Sequence, residues 1–540
     1  MNCTQPAKRF NIKQKQVIQI ARIPLVQLKK LSTTFLLLNQ RVIPLLVLLL
    51  ALPSGLGFAA LPRPNVLMIL VDDLRPALGC YGDPLAKTPN LDRFAQTARK
   101  FNRAYCHQAV CGPSRASILT GRLPDNTRVW HNRNRFRSAH PDLVTLPQLF
   151  KRNGWHAVGL GKVFSGNEKE LDPVSWSEPE VLSREGWRNY VLRKPGGPKK
   201  GAPFEMADVE DEGYTDGKLA TLAIETLERL KERPEAFFLA VGFFKPHLPF
   251  NAPRKYWDLH ESTVFGPKTK SRRTRGAPEV AYPDQLELGG YIGVPRNETI
   301  LPQQGSRLRH GYYACVSYVD AQIGRLLAAL DSMKLDENTL VIVLGDHGFS
   351  LGEAGHWCKK TNFELDTHVP LLIRIPAMKY PGVATEAMVE FVDIFPTLAE
   401  LAGLKGPAHL DGQSFLTLLE NPSAKGREVV MSQHSRPWKA GQPETMGYSI
   451  RTSTHRYTRW IDWENRQMLA EELYDYTMAE SVLHQGGSLI ERLNLANEPS
   501  HRDKREDLRK MMDQRLIERS RPMALKGATK KEDDIVNRRK

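Results

Sequence analysis

The chain has 540 residues and a formal net charge of +16, with 41% hydrophobic and 25% charged residues. That length exceeds one small domain and allows a sizeable buried core. The composition excludes a low-complexity chain, and no short repeat is present. Six cysteines, at positions 3, 80, 106, 111, 315 and 358, lack metal-ligand or disulfide-framework spacing.

Residues 1–60 carry eight Lys or Arg and no acid, so the remainder is only mildly basic. That excess suits an anionic substrate, and equally suits no charged partner. The apolar run Val42–Leu52 has 11 residues and ends at Pro53 and Gly55, with small residues at Gly57, Ala59 and Ala60. It is shorter than the ~20 residues that span a bilayer and has the pattern of a signal peptide, cleaved near Ala59 or Ala60. The expectation is export to the periplasm or beyond, with no stable membrane partner; an uncleaved anchor is the competing reading.

Asn65–Val71 reads as a fully buried strand and runs into Asp72-Asp73. Two adjacent carboxylates after an apolar run are costly unless they bind a cation or cap a helix. Pro76 and Gly79 argue against a long helix there. A helical pattern covers Lys87–Lys100. Cys111-Gly112-Pro113 then opens a turn into a second helix, where the Cys is either a low-pKa thiolate or a small buried hydrophobe.

Three further strands end in polar residues: Trp155–Gly161 before Lys162, Phe237–Phe244 before Lys245-Pro246-His247, and Thr339–Gly345 before Asp346-His347-Gly348. Helical patterns at Thr215–Glu232 and Tyr312–Met333 alternate with them. This order predicts an α/β fold with a mainly parallel central sheet flanked by helices. Ligands bind beyond the carboxyl ends of such strands, so the four polar clusters converge on one edge.

Residues 166–212 and 248–310 read as long irregular insertions. The basic stretch Lys268–Arg275 is a solvated loop or a contact for a polyanion. Nucleic acid is not expected, because no aromatic platform accompanies it. A helix over Val389–Leu404 closes the main domain. The expected organisation is a leader and signal peptide (1–60), a catalytic domain (61–425), a smaller C-terminal α+β subdomain (426–520) and a charged, disordered tail (521–540). The subdomain holds strands near Glu428–Met431, Tyr448–Arg451 and Arg456–Trp460, and a helix over Arg502–Arg519.

The string from Cys111-Gly112-Pro113-Ser114-Arg115 to Leu119-Thr120-Gly121-Arg122 resembles the type I sulfatase signature, Cys-x-Pro-x-Arg followed by Leu-Thr-Gly-Arg, at every position. Asn65–Pro76 with Gly79–Gly82, Gly161–Phe164, Lys245–His247, Gly345–Gly348 with Gly352-Glu353, and Gly447–Thr452 with Arg456–Thr458 resemble the iduronate-2-sulfatase-like branch. The likeness spans about residues 63–520 and implies the alkaline phosphatase superfamily fold.

The resemblance implies a sulfuric ester hydrolase whose Cys111 is oxidised to formylglycine by a formylglycine-generating enzyme. A pairing of Cys106 with Cys111 would consume that thiol and is discounted. Asp72, Asp73, Asp346 and His347, with an oxygen of the modified Cys111, match the ligands of Ca²⁺, and Mg²⁺ also suits this donor set. By the same resemblance Arg115 stabilises the aldehyde hydrate, Lys162 and Lys359 bind sulfate, and His247 protonates the leaving alcohol. The choice of Lys359 over Lys360 rests on family register alone. The implied substrate is a sulfated carbohydrate, such as a 2-sulfated uronic acid of a glycosaminoglycan or related polysaccharide.

One position departs from the pattern. The family places a His three residues after the Lys162 equivalent, where it helps regenerate the aldehyde, and this chain has Ser165. His107, His156 and His356 are the candidate substitutes. Ser165 motivates one alternative, a non-catalytic sulfoglycan-binding protein; the resemblance to the superfamily leaves another, a phosphate or phosphonate ester hydrolase of the same fold.

Overall fold

A computed structural model of the chain describes residues 63–519, except 166–170, 184–187, 194–200, 267–271, 285–286, 295–299, 409 and 478–490. The expected signal segment, the charged tail and residues 268–271 of the basic stretch lie outside the described residues.

Seven strands form the main sheet: β1 (Asn65–Val71), β2 (Arg99–Tyr105), β3 (His156–Gly161), β4 (Phe237–Phe243), β5 (Thr339–Gly345), β6 (His368–Arg374) and β7 (Thr385–Glu390). Their order is β7-β2-β6-β5-β1-β4-β3. All run parallel except β6, which is antiparallel to both neighbours. Central strands of such a sheet are covered on both faces, so β1 and β5 read as unbroken apolar runs and are buried throughout their interiors. The register is flush at the carboxyl edge. Val71 pairs with Phe243 and with Gly345, and Gly161 pairs with Gly242. Asp72, Lys162 and Asp346 therefore leave the sheet at nearly one level.

Two expected helices are corrected. The first covers only Pro89–Ala95, because the following residues form β2. Its charges conceal it: Arg99 is fully buried, with its guanidinium donating to the carbonyls of Leu418, Leu419 and Lys379 at 3.0–3.2 Å. The second begins later than Val389, since Thr385–Glu390 is β7 and the helix proper is Ile394–Leu401. β6 escapes a reading by pattern because Pro370 interrupts it, and a register shift between Val369 and Leu371 absorbs that residue. The insertions are also less irregular than expected, since Phe204–Ala207 and Phe250–Pro253 pair in parallel.

The C-terminal sheet is an antiparallel meander of β8 (Val430–Arg436), β9 (Thr445–Arg451), β10 (His455–Asp462) and β11 (Met468–Asp475), backed by the helix Arg502–Arg519. One buried carboxylate ties it to the main sheet. Glu364 accepts from Arg451 Nε at 3.1 Å, Arg456 Nη2 at 2.6 Å and the hydroxyl of Tyr105, on β2, at 2.8 Å. Burial opposes its ionisation, and Arg451 and Arg456 outweigh burial and hold it ionised. Glu491 stands beside it, accepting from the Glu364 N–H at 3.1 Å and from the Tyr476 hydroxyl at 2.5 Å. Burial pushes the Glu491 carboxyl from an ordinary 4.5 up to about 8.

Folded chains therefore keep a proton on Glu491 that unfolded chains release. The stability this group contributes is complete below about pH 4.5 and is lost as pH rises towards 8. Relative to wild type, Glu491→Gln should gain stability across that window, by up to about 1.4 kcal/mol per pH unit. Thermal melts of both proteins from pH 5 to 9 check this; a pH-independent difference would contradict it.

Candidate active site

The helix α1 (Cys111–Thr120) begins at Cys111 and is buried along its whole length. Its opening is tight. The Gly112 N–H donates to Asn132 Oδ1 at 2.9 Å, and a side chain at Gly112 would collide with Asn132. The helix closes at Gly121, whose φ of +63° is left-handed and which packs on Phe395 and Leu410. Cys111 is thereby fixed at the carboxyl edge of the sheet.

Around its Sγ stand Lys162 Nζ at 3.4 Å, His347 Nε2 at 3.4 Å and Lys359 Nζ at 3.6 Å. Lys162 also donates to Asp72 Oδ2 at 2.5 Å and Lys359 to Asp73 Oδ1 at 2.6 Å. Arg115, one turn after Cys111, donates from Nε to Asp346 Oδ2 at 2.8 Å and from Nη2 to Asp72 Oδ1 at 3.3 Å. Its Nη1 donates to the carbonyls of Lys162 and Val163. Asp346 Oδ1 accepts the Asp73 and His347 N–H groups, each at 3.0 Å. Three buried carboxylates thus face three buried cations.

Electrostatics follow from that packing. Burial disfavours the Asp72 anion, but Lys162, His247, Arg115 and Lys359 outweigh it and hold this carboxyl well below the usual range. Burial likewise opposes the Lys162 ammonium, and Asp72 prevails and raises it to about 12. The Cys111 thiol moves the other way: burial and then Asp72 push it well above its ordinary value, against Lys162 and Lys359. The encoded thiol is protonated at neutral pH, so the low-pKa thiolate left open by the sequence is not what the site makes. Among the described residues Cys80, Cys106, Cys111, Cys315 and Cys358 are all free thiols.

Asp73 takes a left-handed φ of +63°, and Tyr312 clips this turn. Its hydroxyl donates to the Asp73 carbonyl at 2.9 Å and accepts the Arg75 N–H at 3.1 Å. Tyr312 lies on the long helix α2 (Pro302–Ser332), which starts ten residues earlier than its apolar pattern suggests. Asp73 Oδ2 is buried without a hydrogen-bond partner. Ligating atoms of Asp72, Asp73, Cys111 and His347 all lie within 4.8 Å of one another. A hard cation fits this oxygen-rich cluster and its unsatisfied oxygen.

His247 follows β4 and sits at the other side of Lys359. Its Nδ1 lies 2.6 Å from the Leu248 carbonyl, and its Nε2 lies 3.1 Å from Glu287 Oε1. Glu287 also approaches Lys359 Nζ at 3.4 Å. Glu287 is one of six acids in the insertion 248–310 and follows no strand or motif that would mark it in the sequence. The three candidate substitute histidines are committed elsewhere. His107 bonds to the Met431 carbonyl and the Val392 N–H, and His356 to Asp366. His156 faces Glu178 and opens β3, at the strand end opposite Lys162. Ser165 is half-buried and lines a small cavity with Gly112, Arg115 and Phe136.

The sulfatase family model matches residues 64–404, and the model for the C-terminal part of N-sulphoglucosamine sulphohydrolase matches residues 352–515. Human iduronate 2-sulfatase is 36% identical over 478 residues, covering 75% of this chain and 86% of that protein. The chain belongs to the sulfatase family. As a sulfatase it is a sulfuric ester hydrolase. The phosphonate monoester hydrolase of Agrobacterium radiobacter superposes with a TM-score of 0.70 at 23% identity, over 84% of this sulfatase and 96% of that chain. A structure in complex with its substrate D-glucosamine-2-N,6-O-disulfate superposes with a TM-score of 0.67 at 21% identity, over 85% and 98%. Both share the fold of the sulfatase.

The clip on Asp73 gives a direct test. Tyr312→Phe leaves the buried Asp73 carbonyl and Arg75 N–H unpaired, which costs about 1–3 kcal/mol. Denaturant unfolding should show that loss together with reduced sulfatase activity; unchanged stability and activity would contradict the role of the hydroxyl.

Proposed function

We propose that this sulfatase removes sulfate from a sulfated sugar, such as a 2-sulfated uronic acid of a glycosaminoglycan or related polysaccharide. The observation that carries the reading is Cys111, within 3.6 Å of Lys162, His347 and Lys359 and beside three buried carboxylates, in a chain 36% identical to iduronate 2-sulfatase. In it Cys111 Sγ stands for an oxygen of formylglycine, made from this thiol by a formylglycine-generating enzyme. The aldehyde hydrate supplies a nucleophile whose second hydroxyl lets sulfate leave. Asp72, Asp73, Asp346 and His347, with Cys111, would hold Ca²⁺, or Mg²⁺; the bound ion polarises the sulfate ester.

The chain's own residues divide the remaining work. Lys162 and Lys359 offer ammonium groups to sulfate oxygens while staying anchored on Asp72 and Asp73. Arg115, with its donors committed to two carboxylates and two carbonyls, orients the acidic cluster around the nucleophile. His247 presents Nδ1 to a carbonyl, which accepts only, so Nε2 is the nitrogen that passes a proton to the leaving oxygen. Glu287, 3.1 Å from that Nε2, fixes the orientation of the ring. Export through the segment 1–60, and a catalytic unit reaching to about residue 425, belong to the same reading.

The test combines substrate and variant. Enzyme matured with a formylglycine-generating enzyme should release sulfate from a 2-sulfated uronate disaccharide, and calcium should restore activity lost to a chelator. Preference for phosphonate monoesters over every sugar sulfate would overturn the substrate assignment. His247→Gln should slow the sugar sulfate about 10²–10⁴-fold but 4-nitrophenyl sulfate far less, since nitrophenolate leaves without a proton. Equal losses on both would remove His247 as the acid.

A further inference from the structure

A cavity of about 580 Å³ lies against the C-terminal sheet and takes no part in the site described above. Gln433, Tyr448 and Arg459 pair in register across β8, β9 and β10 and form one row of its floor. Ile461 and Met468, paired across β10 and β11, belong to the next row. Side chains alternate along a strand, so Gln433 points away from the side on which Ser432 reaches the Cys106 carbonyl. The floor is therefore the sheet face turned from the catalytic centre, towards the helix Arg502–Arg519, whose Leu516 also lines the cavity.

The walls come from distant parts of the chain. Arg128 and Trp130 follow α1, and Trp463 and Arg466 sit on the turn between β10 and β11. Asp125 organises the inner wall by accepting from Trp130 Nε1 at 2.7 Å, Gln433 Nε2 at 2.7 Å and Tyr448 Oη at 2.6 Å. That carboxylate is committed to three donors. Arg459 pairs with Asp513, whereas Arg128 and Arg466 have no carboxylate partner among the described residues. Arg466 lies 4.7 Å over the Trp463 ring, and Gln433, 1% exposed, keeps Oε1 without a hydrogen-bond partner.

We propose that this cavity is a second, non-catalytic binding site for a sulfated or carboxylated unit of a sugar chain. Its volume suits one or two sugar rings. Arginines give planar donors to sulfate or carboxylate, the indoles give apolar faces to the ring, and Gln433 Oε1 accepts a sugar hydroxyl. The chain's own C-terminal segment 520–540 is a poor occupant, because its seven basic residues outnumber three acids. The choice of a sugar ligand rests on the proposed function; the site and its preference for an anion do not.

Calorimetry with a heparin-derived tetrasaccharide tests this on full-length protein made without the formylglycine-generating enzyme, so that no turnover occurs. Wild type should bind two per chain, and Arg128→Glu with Arg466→Glu should bind one. The double variant should keep its melting temperature and, once matured, its kcat on 4-nitrophenyl sulfate, with at least a tenfold higher KM for polymeric substrate. Arg466→Glu alone, on an exposed turn, repeats the test should the double variant fold poorly. One site in wild type, two in the variant, or equal binding of an uncharged tetrasaccharide would overturn the proposal. Because binding is read without catalysis, an enzyme inactive on sugar sulfates would refute the proposed function and leave this result standing.

Discussion

The constraint on which the structure depends is the burial of three carboxylates against three cations at one edge of the sheet. Asp72, Asp73 and Asp346 are wholly shielded from solvent, and Arg115, Lys162 and Lys359 nearly so. Removing such charges from water is expensive, and loss of one partner from a buried pair costs about 3–5 kcal/mol. None of these side chains can therefore change independently. Arg115 spans Asp72 and Asp346, so it links the ends of β1 and β5, while Lys162 fastens β3 to the same point.

The parallel sheet supplies the geometry. Flush register brings residues from β1, β3, β4 and β5 to one level although they lie up to 274 positions apart. Two close backbone approaches serve the same end. Gly242 has no room for a side chain against the Lys162 backbone, and Gly345 has none against Leu74. Core and site are one construction here: strand spacing sets the spacing of the charges.

How much was legible in the sequence follows from this. Asp72, Asp73, Lys162, His247, Asp346 and His347 each follow an apolar run closely, so the end of a strand marks them. Cys111 and Lys359 came from a family pattern, because a turn before a helix and a pair of adjacent lysines carry no specific chemistry alone. Glu287 and Tyr312 were not legible. One sits in an irregular insertion, and the other is an aromatic on a helix that reads as core, its hydroxyl role visible only once Asp73 and Arg75 are beside it. The strands β2 and β6 were hidden by charge and by Pro370, whose costs are met by backbone carbonyls and a register shift that no local pattern announces.

The central claim is that the buried, protonated Cys111 thiol is the precursor of the nucleophile and not the nucleophile itself. The most direct measurement is the mass of the peptide containing Cys111, from protein produced alongside a formylglycine-generating enzyme. Conversion of the thiol to the aldehyde lowers that mass by about 18 Da, the mark of the group that becomes the nucleophile. The account predicts the lighter peptide together with activity that tracks its fraction. An unmodified thiol in fully active protein, or in protein from cells that convert a control sulfatase, would contradict it.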